Sequence, residues 1–279
     1  MLKIKEQISS RQNPTIKRIC ALLDKRSRRE ERLFRFDGIK LFCEAMECGL
    51  DVKYVVLLDR SIDRYGEIIE RAIAKRDVQT PAVIAVNESV FSKLSDERSP
   101  EGIVTVASFI DEKHTVHTRA ESLCVGSDER LLIAESLRDP GNLGTVIRSC
   151  AALGIDRLLL SDDCADLYNP KTIRAAMGGL FRLHIDILPL ADMPRAIKML
   201  RDTSRRVYAA ALEDNACPIG ELDLGARDCF VIGNEGHGLS SSVTEACDAC
   251  AVIPMQSGCE SLNAAAAATI CIWETVSAK

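Results

Sequence analysis

No apolar run in this sequence approaches the roughly 20 residues needed to cross a bilayer. The longest candidate, Ala264 to Trp273, is alanine-rich and too short. The opening segment MLKIKEQISS lacks the apolar core of a signal peptide, so a cytoplasmic protein without a membrane span is expected. The twelve cysteines come with no export signal, in a chain of 279 residues that is long enough to bury a core of its own. They are therefore expected to be reduced thiols, mostly buried, rather than a disulfide framework. Cys247 and Cys250 form a lone CxxC with no second pair or histidine set beside it, which argues against a metal site. Also missing are the dinucleotide fingerprint G-x-G-x-x-G, the Walker lysine and the G-x-S-x-G elbow of hydrolases.

The net charge of −5 does not advertise a polyanion partner, but its distribution does. Residues 1–40 carry twelve Lys and Arg against five Asp and Glu, so the rest of the chain is strongly acidic. A basic arm on an acidic body is the asymmetry expected where one end meets nucleic acid, although a solvated helix face would give the same count. Arg11, Lys17, Arg18, Arg26, Arg28 and Arg29 are the candidate phosphate contacts.

Along the chain, Asn13 to Glu47 is helical in pattern, with Ile16, Ile19, Leu22 and Leu23 at helical spacing after Pro14. Tyr54–Leu58, Ala82–Val86 and Gly102–Ala107 read as short buried strands, with helices over Tyr65–Lys75 and Ser89–Leu94 between them. This alternation predicts a small α/β domain over residues 1–110. Residues 111–128 are polar and aperiodic and are predicted to be a linker. The alternation restarts in residues 129–279. Strands are expected at Leu131–Ala134, Arg157–Leu160, His184–Leu188, Val207–Leu212, Cys229–Ile232 and Ala251–Ile253, with helices over Leu143–Leu153 and Leu262–Val276. On the last helix Leu262, Ala266, Thr269, Trp273 and Val276 form one stripe, a core or subunit-interface face. This half reads as an open α/β sheet, in which ligands sit at the carboxyl ends of strands.

Three segments following predicted strands hold the chemistry. In Asp139-Pro140-Gly141-Asn142-Leu143-Gly144, Asn142 stands near a helix start, where it could cap the helix, and Arg148 follows six residues on. Gly233-Asn234-Glu235-Gly236-His237-Gly238 sets a carboxylate among three glycines, which suits a ligand pocket better than a simple turn. Its His237 is a weak candidate for a general base, because loop histidines are often merely exposed. In the third, from Ile253 through Met255 to Asn263, Ser261 reads as a helix N-cap with Asn263 in the first turn.

The order, spacing and content of DPGNLGTVIRSCAALG, FVIGNEGHGLS and IPMQSGCESLNAAAAATICIWE resemble the SPOUT superfamily of RNA methyltransferases. Within it, they are similar to the TrmH-like (SpoU) ribose 2′-O-methyltransferases. YNPKTIRAAMGGLFRL resembles the family's intermediate segment. ISSRQNPTIKRICALLDKRSRRE and SPEGIVTVA resemble its ribosomal-protein-like substrate-binding domain. The resemblance covers nearly the whole chain. It implies an α/β catalytic domain closed by a deep trefoil knot, which no periodicity argument reveals, with S-adenosylmethionine as donor and a homodimeric assembly. Gly233, Ile253 and Leu262 match the family's donor contacts, and Asn234, Gly236 and Met255 in the same loops are expected beside them. Asn142, Arg148, Glu235, Ser261 and Asn263 match its catalytic positions.

Departures are confined to Ala264–Ala267 after the third motif, Phe36-Asp37-Gly38 near the N-terminus, and the Gln256–Cys259 loop. The expected substrate is RNA, with ribosomal RNA favoured over transfer RNA. Two rival classes fit less well. A non-catalytic RNA-binding protein with a relict pocket fits poorly with intact polar positions in all three motifs. A nucleotide-dependent oxidoreductase lacks its fingerprint. A base-methylating relative would share the fold, and the Ser-Leu-Asn of the third motif favours ribose.

Overall fold

The structure, a computed structural model, describes residues 2–75, 80–95, 100–213, 215–234, 236–256, 258 and 261–278. The chain divides into two compact units, Met1–Ile110 with Tyr168–Arg174, and Asp111–Leu167 with Ala175–Lys279.

The first unit is built on a five-stranded mixed sheet of β1 (Glu6–Ile8), β2 (Leu33–Asp37), β3 (Val52–Leu58), β4 (Ala82–Val86) and β5 (Ile103–Ser108), in the order β1-β4-β3-β5-β2. Its helices are α1 (Pro14–Ala21), α2 (Lys25–Glu31), α3 (Ile39–Glu47), α4 (Ile62–Ala74) and α5 (Glu88–Leu94). Helix α1 starts where Asn13 Oδ1 accepts from the amides of Thr15 and Ile16, with Pro14 in the first turn. Its Ile16 and Ile19, with Leu22 just beyond, pack into a core with Val90, Phe91 and Leu94. Burying each such side chain contributes about 1.5–3 kcal/mol as an upper bound.

The continuous helical pattern expected over Asn13–Glu47 is interrupted by β2. Arg32 takes the left-handed conformation (φ 55°) and ends α2. Leu33, Phe34, Arg35 and Phe36 are then all buried along β5. Both faces of this strand are covered, so it lacks the alternation that would have announced it. Tyr168 belongs with this unit because its ring stacks on Phe109 at 4.0 Å and its hydroxyl accepts from the Ile110 amide.

The second unit holds an eight-stranded sheet in which every pairing is parallel. Its strands are β6 (His114–Val116), β7 (Leu131–Ala134), β8 (Arg157–Ser161), β9 (His184–Leu188), β10 (Val207–Ala210), β11 (Cys217–Pro218), β12 (Cys229–Ile232) and β13 (Ala249–Val252). The order is β11-β13-β10-β12-β7-β8-β9-β6. Helices α6 (Pro140–Leu153), α8 (Met193–Arg201), α9 (Ser241–Ala246) and α10 (Ala264–Ser277) complete it, and α7 (Pro170–Ala176) begins in the 168–174 segment. Strands β7 and β12 are buried throughout, as parallel strands covered on both faces must be. Ile133, Leu159 and Val231 share a core with Ile197 and Val243.

The stretch 111–128, expected to link two domains, contributes the edge strand β6, paired with β9 from His114↔Ile185. Three residues are too short to carry a periodic signal. Gly154, in the left-handed conformation (φ 82°), ends α6. The stripe on the last helix is divided: Leu262 precedes the helix, and Thr269 and Val276 are half-buried. Ala266 and Trp273 are exposed, while Ala265, Ala268, Cys271 and Ile272 face inward. Among the described residues, no helix is long and apolar enough to cross a membrane.

Strands β7, β8 and β9 run outward to one side, whereas β10 crosses to the other and β12 then fits between β10 and β7. The strand order therefore reverses between β7 and β12. The carboxyl ends at such a point leave a crevice, because the flanking loops part there.

Candidate active site

Because β7, β12 and β13 are parallel, the three segments singled out from sequence leave the sheet on the same side. A cleft of about 410 Å³ opens between the second and third of them, and no residue of the first lines it. All six residues expected to hold the donor, Gly233, Asn234, Gly236, Ile253, Met255 and Leu262, line it, together with Ser261 and His237. A further wall, Ala210–Glu213, had no distinguishing mark in the sequence. VYAAAL reads as uninterrupted strand, but β10 ends at Ala210 and the following residues turn along the cleft.

The loop after β12 closes tightly. Asn234 and Gly238 exchange backbone hydrogen bonds of 2.9 and 3.0 Å. A Cβ on Gly233 would lie 2.4 Å from the Gly238 carbonyl carbon, so no other residue fits without moving the loop. The Asn234 side chain is used within this framework. Its Oδ1 accepts from the amides of Gly236 (2.8 Å) and His237 (3.3 Å), and its Nδ2 donates to the Ser136 carbonyl (2.8 Å). Glu235 lies outside the described residues.

The loop after β7 turns on Ser136, a non-glycine residue at φ 56°. Its amide donates to Ser161 Oγ and its hydroxyl to Asp163, which also receives Ser161 Oγ and Arg138. Burial acts to raise the Asp163 carboxyl. The bonds from Ser136, Ser161 and Arg138 outweigh it and hold the group below the usual carboxylate range. A charged acceptor thus fixes a backbone conformation that would otherwise be strained.

The caps differ from the sequence expectation. Asp139, not Asn142, is the N-cap of α6, accepting from the Asn142 amide at 2.8 Å. Asn263, not Ser261, caps α10, its Oδ1 accepting from Ala265 and Ala266. Asn142 is thereby left in the first turn, where its Oδ1 accepts from Asn263 Nδ2 at 3.0 Å. A second tie between the two helices joins the Ser149 and Thr269 hydroxyls at 2.8 Å.

Arg148 precedes Ser149 on α6. Its backbone packs closely at Gly179, where an added Cβ would sit 3.3 Å from Arg148 Cα. Its side chain is exposed and makes no hydrogen bond or ion pair among the described residues. Asn142, Arg148 and Asn263 stand outside the cleft lining, while Ser261 is within it.

The basic residues of the first unit divide by environment. Arg28 is 3% exposed, and its Nη1 donates to the Leu22 and Leu23 carbonyls at 2.9 and 2.7 Å. It therefore holds the end of α1 rather than facing a phosphate. Arg11 donates to the Ser89 carbonyl and Ser92 Oγ, Arg18 pairs with Glu31, and Arg26 pairs with Glu30 one turn away. Lys17 and Arg29 are exposed without such a partner among the described residues.

The model of the SpoU rRNA methylase family matches residues 129–273, and that of an MRM3-like substrate binding domain matches residues 13–105. The chain is 29% identical over 268 residues to the 23S rRNA (guanosine(2553)-2′-O)-methyltransferase RlmP of Bacillus subtilis, covering 96% of this chain and 98% of that protein. The crystal structure of an AdoMet-bound rRNA methyltransferase from Sinorhizobium meliloti superposes with a TM-score of 0.80 at 27% identity, over 96% of each chain. The SpoU methyltransferase AviRb from Streptomyces viridochromogenes, in complex with AdoMet, superposes with a TM-score of 0.79 at 26% identity, over 95% of this chain and 97% of that one.

Proposed function

The chain belongs to the SpoU rRNA methylase family, and on that premise we propose that it methylates a ribose 2′-hydroxyl of 23S ribosomal RNA with S-adenosylmethionine as donor. The observation that carries the reading is the cleft at the carboxyl ends of β12 and β13, lined by all six residues expected to hold the donor. Its size lies in the range of small-ligand sites. Ile232, Ile253 and Leu262 offer apolar walls for a purine. Gly233 brings the backbone to the cleft edge without a side chain in the way.

The donor supplies an already activated methyl group on a sulfonium. The work left to this chain is to place the hydroxyl in line, exclude water and ease loss of its proton. Arg148 does not act as an ordinary base, because a free guanidinium stays protonated. Its exposed fork is suited to holding a substrate phosphate and stabilising the developing alkoxide. Asn142 and Asn263 fix the two helices against each other and orient the ribose, with Ser261 at the cleft wall. Glu235 is assigned to the hold on its own loop.

Lys17 and Arg29, with Arg11, Arg18 and Arg26, give the first unit its phosphate contacts, since exposed ion pairs such as Arg26–Glu30 are weak and yield to a polyanion. A homodimer goes with this reading, supported by the exposed Trp273 on α10, which is 58% accessible in the single chain. So does the knotted C-terminal path, supported by the docking of α10 on α6 and β12. The cytoplasm is the assigned location, where thiols stay reduced.

The test is incubation with S-adenosylmethionine and unmodified ribosomal or transfer RNA, followed by digestion and mass spectrometry of the nucleosides. A new 2′-O-methylnucleoside in 23S RNA is the expected product. A methylated base would overturn the ribose assignment, and product only in transfer RNA would overturn the substrate.

A further inference from the structure

We propose that Glu135 is a positioning residue for donor binding, a latch that fastens the loop 233–240 to the end of β7. The role rests on the donor reading above. Glu135 follows β7 directly and is 2% exposed. Its amide donates to the Ile232 carbonyl at 2.8 Å, which extends the β7–β12 ladder to the last residue before the loop. Its carboxylate then reaches the loop's far end. Oε1 accepts from Ser240 Oγ at 2.6 Å, and Oε2 accepts from the Ser240 amide at 2.8 Å.

The loop 233–240 is therefore held near both of its ends by two adjacent residues that follow β7. At the near end, Asn234 Nδ2 donates to the Ser136 carbonyl. At the far end, Ser240 is held by Glu135, 105 residues away in sequence. Between these anchors lie Gly236, Gly238 and His237, which line the cleft. Glycines give such a segment little stiffness of its own, so its shape depends on what holds its ends.

The choice of a carboxylate is itself informative. Burying one is costly unless its oxygens are satisfied. Among the described residues no cation pairs with Glu135; its two oxygens are used on the two donors of one serine. Ser240 also caps α9, accepting from the Val243 amide at 3.4 Å. Capping alone needs no buried acid beneath it. The pair instead specifies where the loop ends, and Glu135 itself stands outside the cleft lining. It acts through the loop, not on the ligand.

The experiment compares the wild type with Glu135→Ala, Glu135→Gln and Ser240→Ala. Donor affinity is read by calorimetry, turnover at saturating donor, RNA affinity by filter binding, and melting temperature on the same preparations. Glu135→Ala is expected to weaken donor binding about tenfold or more, while turnover at saturating donor and RNA affinity change about twofold or less. Glu135→Gln should recover donor affinity to within about threefold, because its carbonyl can accept from the Ser240 amide and its amide can donate to Ser240 Oγ. Ser240→Ala, which keeps the amide bond, should lose about threefold.

Donor binding by Glu135→Ala within about twofold of wild type overturns the latch, as does a parallel loss of donor and RNA affinity that tracks the melting temperature. If Glu135→Ala does not fold, unchanged donor affinity in Ser240→Ala overturns it. A Glu135→Gln variant as impaired as the alanine variant does so too, since charge rather than hydrogen-bond geometry would then be at work. No donor binding by the wild type removes the donor reading itself. Wild-type binding that the variants leave intact removes the latch alone.

Discussion

Asn263 Nδ2 donates to Asn142 Oδ1 at 3.0 Å, so the residue that caps α10 also reads the first turn of α6 across 121 positions of sequence. The two uses are separable. Asn263→Asp keeps the capping oxygen and loses the donor, whereas Asn263→Ala loses both. The alanine variant should be destabilised by about 1 kcal/mol. The aspartate variant should unfold near the wild-type temperature yet lose about tenfold or more in turnover, as misplaced substrate contacts do. Wild-type turnover by the aspartate variant would leave the Asn142 tie without a catalytic role.

Arg148 offers an exposed guanidinium with no partner among the described residues. Arg148→Ala should lower turnover about a hundredfold or more while donor affinity stays within about twofold. Arg148→Lys should recover little, because a point charge does not replace a two-pronged donor. A fall in donor affinity as steep as the fall in turnover would place Arg148 in donor binding instead.

At Gly233 the prediction is steric. An added Cβ meets the Gly238 backbone at 2.4 Å, and the obstacle is main chain rather than a movable side chain. Gly233→Ala should bind the donor about tenfold or more weakly because the loop must open. Circular dichroism should still report the native helix and strand content. Unchanged affinity would show that the loop yields without cost.

Arg28 and Arg29 are neighbours in sequence and opposites in environment. Arg28→Ala removes hydrogen bonds from a buried cation to two helix-end carbonyls and should cost about 1.5–3 kcal/mol in a urea titration. It should leave the salt dependence of RNA binding unaltered. Arg29→Ala should do the reverse, changing stability by less than about 0.5 kcal/mol and reducing the salt slope by about 0.7–0.9. Equal effects of the two substitutions on RNA would reject the division.

Burial lowers the pKa of His114 to about 4, against a bond from its Nε2 to the Leu180 carbonyl that acts the other way. The folded state therefore resists protonation that the unfolded state accepts from about pH 6.5 downward. Stability is complete above that point and is lost as pH falls toward about 4, by on the order of 3 kcal/mol. Urea midpoints at pH 7.5 and 5 should differ clearly. His114→Gln, which can still donate to Leu180, should narrow the difference, and an unchanged pH dependence would assign the acid sensitivity elsewhere.

Much of the second unit was legible in the sequence because strands buried on both faces must be continuous apolar runs. Leu131–Ala134 and Cys229–Ile232 appear at their predicted positions. The loops were legible for a related reason. Glycine and asparagine clusters directly after such runs have few uses other than tight turns or ligand edges, and Gly233 serves the first in order to provide the second. Helix starts were legible only to within a few residues. Asp139 and Asn142, like Ser261 and Asn263, are all competent caps, and local chemistry does not choose among them.

Sequence alone thus determined much of the cleft border, the wall Ala210–Glu213 excepted, since apolar burial and backbone conformation are local demands with local signatures. Tertiary structure decided which partner each polar group meets. The run Lys25 to Arg29 looks uniform until packing turns Arg28 inward to the end of α1. Glu135 looks like any acid after a strand until the parallel sheet sets β7 beside β12 and brings Ser240 to it. Hydrogen bonds across more than a hundred residues follow from strand order and register, and no local property of the chain encodes those.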